Sequence, residues 1–226
     1  MINNEYNIPF EYKIVHGREA IKTCLELSGK KGITPVIMGK FEDIEFHFES
    51  PFEKTPEEII EESKNYNIKE FVENAARCVE DDPKLLGEFE ERGDVSSEQS
   101  AGIVAHLNIF SKQPLEEIYI GLIPTEKSFE IPAYVSFGGW DWCEKPEDHV
   151  AIMRYWNEKY GIEIVSITSN VIECIVKNPP ATKEEALELA KEQYWYCPDL
   201  VTQGTQTIAA LAATLLNNKY WYFWWE

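Results

Sequence analysis

The sequence predicts an α+β fold, in which a mixed β-sheet is flanked by helices. Segments with helical periodicity alternate with short apolar runs in the N-terminal part, as helices and strands do in such folds. Two apolar runs separated only by Ser169 and Asn170 are typical of a hairpin. The aromatic run at 220–225 favours a final strand. All seven tryptophans lie at or after Trp140, so we expect the densest core in the C-terminal third.

Residues 1–100 are expected to form an acidic N-terminal α/β part. Residues 17–28 place apolar side chains at three- and four-residue spacing, which predicts a helix. The apolar run at 34–39 ends in glycine and predicts a strand. Together these two elements open an α/β unit.

Two acidic helices are expected next, at 55–65 and 67–80. Thr55 supplies an N-cap hydroxyl, and Pro56 stands at the first helical position, where its missing N–H is harmless. Apolar residues then thin out over 81–100 while glycine and serine accumulate, which indicates a loop or linker.

Residues 101–226 are expected to form a C-terminal domain with the order αββαα(β). The predicted helices are 147–160, 182–196 and 205–216; the predicted strands are 162–168, 171–176 and 220–225, preceded by strands at 102–110, 118–123 and 131–137. Gly161 is placed to end the first of these helices. Thr182 and Glu185 match a capping box that begins the second.

The charge balance excludes some classes of partner. The chain carries 21 basic and 40 acidic residues, a net charge of −19, and residues 42–98 hold 19 of the acids with 6 bases. Such a surface repels phosphate backbones and anionic lipid heads, so we expect no nucleic-acid and no membrane binding. It attracts a basic protein partner. An acidic solvated face that merely aids solubility is the alternative explanation.

Five scattered cysteines without a CxxC pair argue against a disulfide framework. The first residues lack the basic and apolar regions of a secretory signal, and no run of about 18 apolar residues occurs. These features predict a cytoplasmic protein with reduced thiols. The sequence carries no phosphate-binding glycine motif, so no cofactor is predicted, and it leaves the oligomeric state open.

Several short motifs in the C-terminal half follow one another in a specific order: Gly138-Gly139-Trp140 with Cys143, Tyr155-Trp156 with Tyr160-Gly161, Asn178-Pro179-Pro180 with Glu185-Ala186, Tyr196-Cys197-Pro198-Asp199 with Gln203-Gly204, and the closing Trp221-Tyr222-Phe223-Trp224-Trp225. Through them, residues from about 131 to 226 resemble the bacterial domain-of-unknown-function 4253 (DUF4253) family. The resemblance implies an α+β domain of a bacterial cytoplasmic protein. It implies no activity, because none is assigned to the family.

Cys143, His149, Cys197 and Asp199 are the candidate chemical residues. Zinc accepts sulfur, nitrogen and oxygen donors, so the four could form a tetrahedral metal site, although their spacing matches no familiar ligand pattern. Alternatively, Cys143 or Cys197 is a nucleophile, with His149 as base and Asp199 orienting the imidazole, as in a small hydrolase.

A structural role explains the same residues without chemistry, since acidic residues cap helices, cysteines fill cores and buried tryptophans need acceptors. Asp141, Asp199 and Gln203 could accept hydrogen bonds from tryptophan N–H groups. The candidates for an exposed binding surface are Trp140, Trp142, Tyr196 and Gln203.

We therefore expect a non-enzymatic acidic protein that binds a basic protein partner, in the manner of an immunity protein that neutralises a basic toxin or nuclease. This hypothesis rests on charge. The alternative is a hydrolase or metalloenzyme built on Cys143, His149, Cys197 and Asp199. Contact among these four side chains around a pocket would favour the enzyme, because a nucleophile and its base must share a hydrogen bond.

Overall fold

The structure, a computed structural model, describes residues 8–49, 52–81, 83–89, 102–140 and 143–226. Within these ranges the helices are α1 (Gly17–Leu27), α2 (Phe41–Phe48), α3 (Pro56–Glu62), α4 (Ile68–Asp81), α5 (Ile131–Tyr134), α6 (Pro146–Tyr160), α7 (Lys183–Tyr196) and α8 (Ile208–Leu215). The strands are β1 (Glu11–Val15), β2 (Thr34–Ile37), β3 (Ile118–Ile123), β4 (Ile162–Ile167), β5 (Val171–Val176) and β6 (Tyr220–Trp224). A π-helix occupies Leu200–Thr205.

In the described part of the chain, six strands form one sheet in the order β1-β3-β2-β4-β5-β6. β2 and β4 run parallel, and the other neighbours run antiparallel, which confirms the predicted mixed sheet. β1 and β2 precede residue 100, so both parts of the chain contribute strands to this one sheet. β6 lies at one edge, where Trp221 is opposite Cys174 of β5.

Successive side chains of a strand point to opposite faces of the sheet. Different helices cover these two faces. On one face, α1 packs Ala20 and Leu27 against Ile37, Ile118 and Ile120. The other face carries the main core, which joins buried residues of α2, α4, α6, α7 and α8 to the sheet. This second face also holds most of the aromatic residues.

Trp156 of α6 lies at the centre of the main core and is fully buried. Its ring stacks on Phe223 at a centroid distance of 5.5 Å and meets Tyr196 and Trp221 edge to face at 5.2 and 5.9 Å. The indole nitrogen donates a 2.8 Å hydrogen bond to the Glu192 carboxylate of α7. Burial of so large a ring contributes about 5 kcal/mol, provided that its N–H group is satisfied.

Most elements predicted from periodicity and caps are confirmed. The side chains of Thr55 and Thr182 each close a capping box at the start of a helix, and Gly161 ends α6 with a φ of 65°. The hairpin around Ser169 and Asn170 joins β4 to β5. Most of the predicted linker at 81–100 lies outside the described residues.

Two predicted strands are wrong. Residues 131–137 begin with the short helix α5. Residues 102–110 form an irregular segment, whose backbone N–H groups at Val104 and Ala105 donate to the buried Glu173 carboxylate at 2.7 and 3.1 Å. The Glu173 carboxylate thus accepts the hydrogen bonds that the carbonyl groups of a neighbouring strand would accept in a regular sheet. Burial raises the pKa of the Glu173 carboxyl group.

The helix expected at 205–216 begins later, at Ile208. Gln206 adopts a left-handed backbone conformation with a φ of 68°, which interrupts helical geometry after the π-helix. The Thr207 side chain then caps α8 by accepting from the Ala210 N–H group. Sequence analysis also missed β1 and α2, two short elements of the N-terminal part.

None of the helices in the described ranges has the length and apolar character needed to span a lipid bilayer.

Glu192 and Glu188 provide a matched pair for testing the importance of the Trp156 contact. Both lie on α7 and pair with a lysine, but Glu192 is buried and also accepts from Trp156, whereas Glu188 pairs with Lys191 at the surface. We expect Glu192→Ala to lower the free energy of unfolding by about 3 kcal/mol, since it leaves buried donors unpaired. Urea denaturation measures this loss. Glu188→Ala should change stability by less than about 1 kcal/mol; equal losses would contradict this account.

Candidate functional site

The start of α6 and the end of α7 bring Cys143, His149 and Tyr196 into contact. Cys143 lies three residues before α6, His149 lies in its first turns, and Tyr196 is the last residue of α7. Cys143 Sγ is 3.3 Å from His149 Nε2, and Tyr196 Oη is 2.6 Å from His149 Nδ1. The predicted contact between a cysteine and His149 is therefore present, with a tyrosine as the third member.

Gly138 permits this close packing. Its φ is +102°, and a Cβ atom there would lie 2.6 Å from His149 Nε2 and would clash with the Glu144 carbonyl oxygen. The neighbouring Gly139 also has a positive φ, and its N–H group donates to the Glu144 carbonyl at 2.7 Å. The Gly138-Gly139 pair thus forms a tight turn that holds the backbone against the imidazole ring.

Aromatic rings surround the imidazole of His149. Phe137, Tyr196 and Trp225 meet it nearly edge to face, with centroids 5.0, 5.3 and 5.4 Å away. His149 and Tyr196 are 0% and 1% exposed. The ring is therefore enclosed by apolar surface and by the polar atoms that it contacts, which include Cys143 Sγ and Tyr196 Oη.

This buried environment favours the neutral forms of both Cys143 and His149. Burial lowers the pKa of His149 to about 3, partly opposed by the Glu144 backbone. Burial also raises the pKa of Cys143 far above its usual range, and the nearby Cys197 and Glu144 add to the effect. A nucleophilic cysteine needs its thiolate form and a base needs an accessible nitrogen, whereas here both groups are buried and hydrogen-bonded to each other.

Cys197 and Asp199 have other partners. The Cys197 thiol donates to the Trp224 carbonyl oxygen at 3.0 Å, and burial raises its pKa to about 12. Asp199 is half-buried beside the π-helix, where its carboxylate accepts from Gln203 Nε2 at 3.2 Å and from the Glu226 N–H group at 3.0 Å. Asp199 thus joins the π-helix to the end of the chain and does not orient His149.

The donor atoms do not converge as a zinc site requires. Across the described residues, no group of three or more histidine, cysteine, aspartate or glutamate side chains is arranged to hold a metal ion. Cys143 and His149 supply one sulfur and one nitrogen, and both face each other inside the core. A tetrahedral site needs four ligands at about 2.0–2.3 Å.

The candidate surface residues are found in different environments. Tyr196 lies in the core, so it forms no part of a surface in this conformation. Gln203 is exposed and hydrogen-bonds Asp199 and Glu226. Trp140 is half-buried and packs edge to face on Phe46 at 5.5 Å. Trp142 and Asp141 lie outside the described residues.

Sequence analysis missed two features. The first is the Tyr196 contact with His149, which joins residues 47 positions apart and leaves no local signal. The second is the exposed face of α2, where Phe46 stands among glutamates. The buried residues Ile44, His47 and Phe48 follow helical spacing, a signal from which this helix could have been found.

Acid should destabilise the protein partly through its buried histidines. Burial lowers the pKa of His47 to about 4, while an unfolded histidine has a pKa near 6.5. Between pH 4 and pH 6.5 only the unfolded chain binds this proton. The stability gained from burying neutral His47 is therefore fully present above pH 6.5 and is lost as the pH falls towards 4. Each such histidine contributes about 1.4 kcal/mol per pH unit in this window.

Urea denaturation at several pH values tests this dependence. His47→Gln keeps a donor for the Thr168 carbonyl, which His47 Nε2 contacts at 3.0 Å, but it removes the titration. The slope of stability against pH should therefore become shallower by about 1.4 kcal/mol per unit. A slope unaffected by His47→Gln would show that this imidazole is protonated in the folded state.

The thiols of Cys143, Cys174 and Cys197 should be inert in the native protein, because they are buried and their pKa values are raised. Titration with a disulfide reagent measures this directly. Cys143→Ala should leave the native reaction trace unchanged. Cys24 should react slowly, because it is half-buried but burial also raises its pKa to about 12, and Cys24→Ala should remove that slow phase. A rapid native phase that disappears in Cys143→Ala would instead support an activated nucleophile.

Comparison with known proteins supports the family resemblance that the C-terminal motifs indicate. Searches of curated proteins and of solved structures find no match. Residues 119–226 match the family model described as domain of unknown function (DUF4253). This match extends from β3 to the final residue and includes Cys143, His149, Tyr196 and the closing aromatic strand. Residues 119–226, slightly less than half of the chain, are therefore similar to the DUF4253 family, in agreement with the resemblance of residues 131–226.

Proposed function

We propose that this protein is a non-enzymatic acidic binding protein whose partner is a basic protein, in the manner of an immunity protein. The observation that carries the proposal is the exposed face of α2. Glu42, Glu45, Phe46 and Glu49 follow the spacing i, i+3, i+4 and i+7, so they lie on one side of the helix. Phe46 is 52% exposed at the centre of this face.

The aromatic part of this surface is held firmly. Phe46 packs edge to face on Trp140 at 5.5 Å, and Trp140 packs on the fully buried Phe137 at 5.1 Å. Phe137 in turn contacts Trp225 of the main core. An anchor that is fixed before binding loses little conformational entropy when a partner docks.

The chemistry of this surface suits arginine or lysine. A cation over an aromatic face gains about 0.5–2 kcal/mol, and its aliphatic stem can cover the exposed ring of Phe46. Glutamates on both sides of that ring can accept hydrogen bonds from a guanidinium group. The net charge of −19 would accelerate the approach of a basic partner.

The enzymatic alternative has weaker support. Cys143 and His149 touch, but both are buried and kept neutral, while Cys197 and Asp199 bond to other groups. A hydrolase needs a nucleophile that a substrate can reach. The surface of α2 is already accessible and charged.

Binding of an arginine- and leucine-containing peptide, measured by fluorescence anisotropy, tests this proposal. Phe46→Ala should weaken binding by about fivefold or more, since it removes the aromatic anchor. Leu25→Ala is the matched control, because Leu25 is 68% exposed on α1, across the sheet from α2. Leu25→Ala should bind as the unmodified protein does.

The contribution of the α2 glutamates to binding can be tested in the same fluorescence anisotropy assay. Replacing Glu45 and Glu49 with glutamine should slow association and reduce its dependence on salt. Replacing the exposed Glu19 of α1 should have a smaller effect. Equal binding by the unmodified protein and Phe46→Ala, or association that does not change between low and high salt, would contradict the proposed surface.

A further inference from the structure

Two buried hydrogen-bond donors line one small cavity. Gln193 of α7 and Trp221 of β6 are 1% and 2% exposed, and neither Gln193 Nε2 nor Trp221 Nε1 has a partner among the described residues. Both residues line a small cavity. Its volume, counted as the space open to the centre of a water molecule, is about 40 Å³. An unpaired buried donor costs about 1–3 kcal/mol, so two beside one cavity need an explanation.

The cavity lies at an irregular place in the fold. Leu200 and Thr205, the two ends of the π-helix, line it together with Thr214 of α8. A π-helix is rare, and its wider turns displace side chains from regular packing. The space between α7, α8 and β6 is thus not closed by apolar side chains alone.

Three other polar side chains of the lining donate hydrogen bonds to backbone carbonyl groups. Thr214 Oγ1 donates to the Leu211 carbonyl at 2.7 Å, and Thr205 Oγ1 donates to the Thr207 carbonyl at 3.0 Å. Asn218 Nδ2 donates to the Thr214 carbonyl at 3.0 Å. The hydroxyl oxygens keep lone pairs with which they can accept. The cavity therefore offers two free donors and two hydroxyl acceptors.

We infer that this cavity is a binding site for acceptor oxygen atoms, supplied by water. A bound water can accept from Gln193 and Trp221 and donate to Thr205 or Thr214, which matches the two to four partners that buried waters have. The available space holds up to about three waters, since each needs about 10–15 Å³ by this measure. A carboxylate would accept from the same donors, but it cannot donate to the hydroxyl oxygens, and the chain is already strongly acidic.

Water binding can be tested by nuclear Overhauser transfer from water to tryptophan indole protons in the intact protein. We expect a cross-peak from a long-lived water at the Trp221 indole proton. Trp225 Nε1 is also buried without a partner among the described residues, but it does not line this cavity, so its cross-peak is recorded separately and does not bear on this site. Trp156, whose indole proton is bonded to Glu192, should show no such cross-peak.

Gln193→Met keeps the length of the side chain but removes one donor. It should reduce the cross-peak at Trp221 at least twofold while the Trp156 resonance stays in place, which reports an intact core. No cross-peak at Trp221, or equal cross-peaks at Trp221 and the hydrogen-bonded Trp156, would overturn the site. A Trp221 cross-peak that Gln193→Met leaves unchanged would also overturn the shared site.

A comparison of spectra in sodium formate and in sodium chloride, at equal ionic strength, distinguishes a carboxylate from water as the source of the acceptor oxygen. We expect the Trp221 indole resonance to be the same in both salts. A shift that saturates with formate alone would show that a carboxylate occupies the cavity and would overturn the assignment to water.

Discussion

The burial of Trp156 is the constraint on which the rest of this structure depends. A tryptophan in a core is stabilising only if its indole N–H group finds an acceptor, and here that acceptor is Glu192. A buried carboxylate itself needs donors, which Tyr155 and Lys159 supply from α6 at 3.0 Å each. Helices α6 and α7 are therefore fixed relative to each other by polar contacts within an aromatic core.

The same rigid core surrounds the contact between Cys143 and His149. Ring packing around His149 excludes water, and the loss of hydration disfavours both imidazolium and thiolate. A hydrogen bond between neutral groups then satisfies the polar atoms of Cys143, His149 and Tyr196. These contacts join the start of α6 to the end of α7 within the aromatic core.

Core and surface are linked through Phe137. This residue contacts His149 and Trp225 on one side and Trp140 on the other. The half-buried Trp140 then supports the exposed ring of Phe46. A surface aromatic that rests on a packed core has few conformations to lose on binding, which is a property of the proposed docking face.

Local sequence patterns were enough to predict the fold class, the elements with strong local signals and the C-terminal family resemblance. Capping boxes at Thr55 and Thr182, the left-handed Gly161 and the hairpin around Ser169 depend on neighbouring residues, so local patterns were sufficient to predict them. Three arrangements could not be predicted and became visible only in the folded chain: Cys143 contacts His149, which Tyr196 also contacts; Asp199 bonds to other groups; and Glu173 accepts from residues 104 and 105. Those contacts join residues far apart in the chain, and their geometry and protonation depend on burial, which no local pattern encodes.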